Sequence, residues 1–119
     1  MTHEELKKLI KSKVIPALRR VSRWWPEKNI AKRNAKVSPG KYKCASCNEL
    51  VKEREYQLDH VKPIVDPKVG FVDYNTFIER LLCGADNYQL LCIACHELKT
   101  SLENELRKKY KKRKKKLDK

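Results

Sequence analysis

The chain has 119 residues, 37% of them charged, and a formal net charge of +14. A chain of this length makes one small domain that buries roughly 60–70% of its unfolded surface, so its core is marginal and a metal or a partner is expected to complete its stability. No apolar run approaches the roughly 18 residues of a membrane span and no signal-peptide core opens the chain, so the expectation is a cytoplasmic protein with no membrane partner.

The charge is unevenly placed. Residues 1–43 carry 13 basic and 3 acidic side chains, residues 44–106 carry 6 and 11, and residues 107–119 carry 10 and 1. This divides the chain into a basic N-terminal arm, a slightly acidic module and a lysine/arginine-rich tail. Two cationic arms around an acidic centre suit a polyanion, with nucleic acid the leading partner and solubilisation by lysine the plainer reading.

In the arm, Thr2-His3-Glu4-Glu5 has the form of a capping box, and Leu6, Leu9, Ile10 and Val14 follow at helical spacing. The spacing predicts a helix from about His3 to Ile15. Pro16 is expected to break or kink it, after which Leu18, Val21 and Trp25 continue an apolar face, while Arg19, Arg20 and Arg23 project elsewhere as candidate DNA contacts. Pro26 suits the first turn of a second helix, Glu27 to Lys36, and Ser38-Pro39-Gly40-Lys41 is a turn that ends the arm. Trp24 and Trp25 can stack on bases, but tryptophans in a helical apolar stripe belong more often to the core. His3, at an exposed helix start, reads as a bystander.

Cys44-Ala45-Ser46-Cys47 opens the central module, with Asn48-Glu49 closing a knuckle. Tyr56 to Val61 reads as a strand ending before Pro63, and Val65 to Gly70 as a loop. Asp73 is placed to cap a helix from Tyr74 to about Cys83. Tyr88 to Cys92 reads as a second strand, and from Ile93 a helix carries Leu98, Leu102 and Leu106 at four-residue spacing. The order is strand, strand, helix. Basic residues from Arg107, Lys108 and Lys109 onward prolong that helix before a disordered end, and bind phosphates without reading sequence.

Five cysteines in a reducing compartment argue for metal ligation. Cys44-x-x-Cys47 and Cys92-x-x-Cys95 supply the four thiolates of a closed tetrahedral zinc site, with redox disulfides or four-cysteine iron as alternatives at the same spacing. Cys92-x-x-Cys95-His96 is also a haem-attachment pattern, but that reading explains neither Cys44 nor Cys47 and finds no second axial ligand, because the only methionine is Met1. Bound zinc would contribute on the order of 10 kcal/mol to folding. Cys83 is left over as a small buried hydrophobe.

Asp59, His60, Asn87 and His96 remain as polar groups near this scaffold. Phosphodiester hydrolysis needs a divalent ion and a base that deprotonates water. Asp59 oxygen and His96 nitrogen are candidate ligands for such an ion. His60, with an ordinary pKa of about 6.5, can be the base. Asn87 can hold the loop that orients His60, and Lys99 can meet a phosphate. Asp59 and His60 are neighbours and would leave a regular strand on opposite faces, so they must lie at a strand end.

Asp59-His60, then Asn87-Tyr88-Gln89-Leu90-Leu91-Cys92, then Cys95-His96 with Lys99-Thr100, resembles the HNH endonucleases, specifically the zinc-stapled four-cysteine kind found in small phage and mobile-element proteins. The resemblance spans Cys44 to Thr100, 57 of the 119 residues. It implies an α+β chain with a ββα-metal module on a structural zinc knuckle, DNA cutting with Mg²⁺ or Mn²⁺, His60 as general base, Asp59 and His96 as ligands of the catalytic ion, and Asn87 as the motif's asparagine. The connection from Val61 to Asp86, 26 residues, is longer than in many members and leaves Asn75 as a substitute for Asn87. The basic arm is similar to that of small phage proteins encoded beside the packaging terminase, a further partner this implies. A monomer and a homodimer are both compatible with one site per chain. The reading from another class is a non-catalytic zinc module that binds nucleic acid, such as a packaging accessory.

Overall fold

The structure is a computed structural model and describes residues 1–117. Among the described residues it is a mixed α+β fold of four α-helices, a 3₁₀ turn and two small antiparallel sheets. Thr2 caps α1 (His3–Ser22) by accepting the Glu5 N–H at 3.1 Å, and Glu4 and Glu5 lie in the first turn where the helix dipole favours them. Of the break or kink expected at Pro16, the break does not occur: α1 is one helix through that residue. A proline inside a helix costs about 3 kcal/mol. On either side of it Lys11 lies over the Phe71 ring at 4.1 Å and Arg19 over Phe77 at 5.6 Å, contacts of about 0.5–1 kcal/mol each that hold both halves of the helix to the fold.

Pro26 starts α2 (Glu27–Ala35), whose small Ala31 is buried and lets the helix lie close to the strands. Next comes a sheet that the sequence pattern does not announce. β1 (Lys36–Ser38) and β2 (Lys41–Lys43) form a hairpin around Pro39-Gly40, where Gly40 takes φ of 71°, open to glycine without strain. β3 (Leu50–Lys52) pairs with the other edge of β2, placing Tyr42 opposite Val51. Each of β2 and β3 buries only its middle residue, the alternation of a sheet with one covered face. The boundary drawn at residue 43 therefore runs through a sheet, because β2 belongs to the arm by sequence and to the module by pairing.

β4 (Tyr56–His60) and β5 (Tyr88–Cys92) form the second sheet, with Leu58 opposite Leu90, Asp59 opposite Gln89 and His60 opposite Tyr88. Tyr42, Val51 and Leu90 make one core cluster, flanked by Ala35, Tyr56, Leu58 and Cys92. Between the strands, Asp73 caps α3 (Tyr74–Leu81) by accepting the Thr76 N–H at 2.7 Å. The helix stops two residues short of Cys83, so Cys83 lies in the loop, half-buried and not a core residue. A 3₁₀ turn, Ala85–Asn87, leads into β5.

β5 passes without a loop into α4 (Ile93–Leu117), whose 25 residues extend about 38 Å. The lysine/arginine segment is thus helical as far as Leu117, where a disordered end was expected; Asp118 and Lys119 lie outside the described residues. Leu98 and Leu102 sit on the open side of α4, 62% and 54% exposed. Among the described residues no helix is long and apolar enough to cross a membrane.

Leu81 is 1% exposed, and its carbonyl accepts the Tyr88 hydroxyl at 3.0 Å. Replacing Leu81 by Ala is expected to cost about 2–5 kcal/mol, the range for a buried leucine that leaves a cavity. Urea unfolding followed by circular dichroism measures it.

Candidate functional site

The segments carrying the cysteine pairs differ, and each is shaped by a local constraint. Cys44 and Cys47 lie in the link between β2 and β3, where Cys44 N–H donates to the Glu49 carbonyl at 2.9 Å and Asn48 N–H to the Cys44 carbonyl at 3.0 Å. Asn48 closes this knuckle with φ of 64°, a left-handed conformation that asparagine tolerates better than most residues. Cys92 ends β5, and Cys95 lies in the first turn of α4 with its N–H on Cys92 Sγ at 3.4 Å.

The four sulfur atoms lie within 4.8 Å of one another, and Cys47 and Cys92 Sγ are 3.8 Å apart. A tetrahedron with metal–sulfur bonds of about 2.3 Å has sulfur–sulfur edges of about 3.8 Å, so the cluster could hold a metal ion such as zinc. Its protonation fits the same role. The neighbouring Cys92 thiol, with burial, pushes Cys95 up to about 12. Burial also opposes ionisation of Cys44, yet backbone hydrogen bonds at Cys47, Cys92 and Ser46 bring it down to about 6. Four thiols this close cannot all ionise until a cation balances them, and the soft thiolate set suits zinc. Among the described residues this is the one group of three or more histidine, cysteine or acidic side chains placed to hold an ion.

The second feature is a cleft of about 140 Å³ lined by residues that include Arg19, Asp59, His60, Lys99, Glu103 and Arg107. It lies where α1, the end of β4 and the middle of α4 converge. Asp59 and His60 leave β4 on opposite faces, as neighbours on a strand do. The Asp59 carboxylate turns to α4 and accepts from the Lys99 ammonium, with Gln89 Nε2 at 3.5 Å. Lys99 Nζ also donates to the His60 carbonyl at 2.7 Å and lies 3.2 Å from Glu103 Oε1. Three oxygens from two elements thus converge on one positive charge.

The His60 ring turns the other way. It lies against the Tyr88 ring, centroids 4.7 Å apart, with Nε2 3.1 Å from the Leu81 carbonyl. Burial lowers its pKa from the ordinary 6.5; the charges of Lys28 and Lys99 push the same way, and the Leu81 carbonyl and Asp59 oppose them. The imidazole is therefore mainly neutral at pH 7. Asn87 fastens the chain that follows it: its carbonyl accepts the Val61 N–H at 2.8 Å, its Oδ1 accepts the Lys62 N–H at 3.1 Å, and its Nδ2 donates to Cys83 Sγ at 3.6 Å. Asn75 lies exposed on α3.

His96 is half-buried in the first turn of α4 and does not line the cleft, and among the described residues it shares no hydrogen bond with Asp59 or His60. Asp59 is thus held beside a cation, but that cation is Lys99, and a divalent ion on Asp59 requires Lys99 to give way. Of the basic candidates, Arg19 and Arg107 reach the cleft, whereas Arg20, Arg23, Lys108 and Lys109 are exposed on α1 and α4 or at their ends. Glu103 is a cleft residue that motif reasoning does not single out. Its signal is the four-residue ladder Lys99, Glu103, Arg107, which puts all three on one face of α4.

Comparison with protein-family models, with characterised proteins and with solved structures finds no match.

Cys95→Ser is expected to lose stoichiometric zinc and, with about 10 kcal/mol of metal-linked stability removed from a marginal domain, its cooperative thermal transition. Metal analysis and thermal circular dichroism of the two proteins check this. Because the thiols release protons on binding, zinc affinity is expected to fall as pH falls.

Proposed function

We propose that the chain is a metal-dependent DNA endonuclease of the HNH type, in which a zinc-tied unit of β4, β5 and α4 forms the ββα scaffold. The observation that carries the reading is the cleft in which Asp59 and His60, at the end of one strand, meet Arg19, Lys99 and Arg107. That sets an acid and phosphate-binding cations around the His60 backbone in one concavity of a basic chain, and the imidazole, which lies against the Leu81 carbonyl, has to turn toward the cleft to act there. The motif order from Asp59-His60 through Asn87 to Cys95-His96 supports it independently.

In this reading His60 takes a proton from the attacking water, a role that needs the neutral imidazole burial favours. Asn87 holds the 61–62 backbone and so keeps His60 at its station. Arg19 and Arg107 bind the scissile phosphate from the rim, joined by Lys99 once it leaves Asp59. Asp59 and His96 would hold a divalent ion such as Mg²⁺ or Mn²⁺ once Lys99 leaves Asp59 and His96 moves into the cleft it lies outside, and the ion would supply charge stabilisation at the phosphate and the leaving oxygen. A phage or mobile-element setting, with a packaging terminase as partner, belongs to the same reading. The second reading is a non-catalytic zinc module that binds nucleic acid. The Lys99–Asp59 ion pair and the place of His96 outside the cleft favour it.

Nicking of supercoiled plasmid separates the two. With Mg²⁺ or Mn²⁺ the unaltered chain is expected to nick, and His60→Ala to lose at least about 100-fold in rate while keeping its zinc. Because the His60 pKa is lowered, the rate is expected to fall with falling pH along a limb centred below 6.5. Equal nicking by His60→Ala removes that residue from the mechanism, and binding without nicking under either ion selects the zinc module.

The charge split yields a separate expectation. A chain ending at Leu106 should bind DNA more weakly and with a flatter salt dependence, by about 0.9 in logarithmic slope for each phosphate that the tail no longer neutralises. Titrations of labelled duplex at several salt concentrations measure it, and an unchanged slope returns the tail to solubilisation.

A further inference from the structure

Trp24 and Trp25 are adjacent in sequence and opposite in environment. Trp25 is half-buried, and its indole N–H donates to the Cys83 carbonyl at 2.7 Å. Trp24 is 85% exposed, the most exposed large hydrophobic side chain among the described residues. Single exposed leucines and valines are ordinary, but an indole with roughly 150–250 Å² of surface is normally buried when no ligand covers it.

The indole is presented on a fixed support. Trp24 N–H donates to the Val21 carbonyl at 3.3 Å, Trp25 N–H to Ser22 at 3.2 Å and Lys28 N–H to Trp25 at 3.2 Å, so the turn between α1 and α2 is closed by its own backbone. Trp25 and Glu27, which accepts the Ala85 N–H at 2.9 Å, pin that turn to the segment preceding β5. A platform held this way loses little conformational freedom when a flat partner lies on it.

Its neighbours choose the partner. Arg20, in the last turn of α1, and Arg23, next to Trp24 in the turn that follows, are both exposed. An aromatic face flanked by guanidinium groups matches the alternation of base and phosphate in a nucleic-acid strand. Arg19, which lines the cleft, is five residues back, in the last turn of α1.

We propose that Trp24 is a stacking platform for an unpaired DNA base, with Arg20 and Arg23 on the flanking phosphates, so that the chain prefers DNA with unpaired bases to intact duplex. A base inside a duplex is already stacked on both sides and offers Trp24 no free face. The proposal rests on the nucleic-acid reading above and adds a substrate preference that the cleft does not supply.

The test uses the full zinc-loaded chain with a labelled single strand, a duplex containing a short unpaired bubble, and the matched intact duplex. Trp24→Ala is expected to lose about 5- to 100-fold in affinity for the first two and less than about 2-fold for the third. Its salt slope stays unchanged, because no charge is removed. Trp24→Phe keeps most of the affinity, since it retains an aromatic face. Arg20→Ala lowers the slope on the single strand by about 0.7. Intrinsic fluorescence is quenched by the single strand in the unaltered chain and much less in Trp24→Phe.

Because Trp24 is exposed, these variants are expected to fold, which their circular dichroism checks. Unaltered affinity in Trp24→Ala, or equal loss on bubbled and intact duplex, overturns the stacking assignment while the nuclease reading stands. Absence of DNA binding by the unaltered chain overturns both. Self-association without DNA that Trp24→Ala abolishes assigns the indole to a second copy of the chain and overturns the proposal.

Discussion

The meeting of four sulfur atoms is the constraint on which the rest of this structure depends. Cys44 and Cys47 belong to the knuckle between β2 and β3, Cys92 ends β5, and Cys95 opens α4, so one point joins both sheets and the long helix. The hydrophobic clusters are small: Tyr42, Val51 and Leu90 in one, with Phe77, Leu81, Tyr88 and Leu91 buried beyond it. In a domain this size such cores leave little margin over conformational entropy, and a metal ion held by the four cysteines would tie elements far apart in sequence and supply what packing does not. It would also fix where α4 begins, and through α4 where Lys99, Glu103 and Arg107 stand.

Electrostatics in the cleft follow from that placement. Two carboxylates and a backbone carbonyl gather around the Lys99 ammonium, leaving one formal negative charge among them, and the two arginines, Arg19 and Arg107, bring the cleft lining to a net positive charge. The arrangement leaves net positive charge facing outward although residues 44–106 are acidic in sum. His60, turned to the Leu81 carbonyl and the Tyr88 ring, is insulated from this exchange and keeps its neutral form by burial.

The basic arm is part of the same body. Ala31 and Ala35 of α2 lie against the strands, Trp25 and Glu27 hold the chain before β5, and Arg19 crosses to the cleft. Charge divides the chain into three, but packing does not, because the apolar stripe of an amphipathic arm has to be covered by something and the module is what lies beside it. The stripe is only partly covered. Leu6, Leu9 and Ile10 remain exposed, as do Leu98 and Leu102 on α4, which shows that helical spacing of leucines identifies a face without identifying its partner.

The sequence by itself determined the features that depend on local chemistry. The Thr2 and Asp73 caps, the Pro39-Gly40 turn, the limits of β5 and the pairing of two cysteine dipeptide spacings were all legible, because caps, turns and ligand spacings act over a few residues. Strands β1 to β3, three residues each, were not, since so short a run carries no readable period and exists only through its partners. Tertiary structure alone decided that α1 continues through Pro16, that Asp59 meets Lys99 and Glu103 while His96 stays outside the cleft, and that one tryptophan of an adjacent pair is held inside while the other is left in solvent. Each of these turns on which surfaces meet across the fold, and spacing along the chain does not encode that.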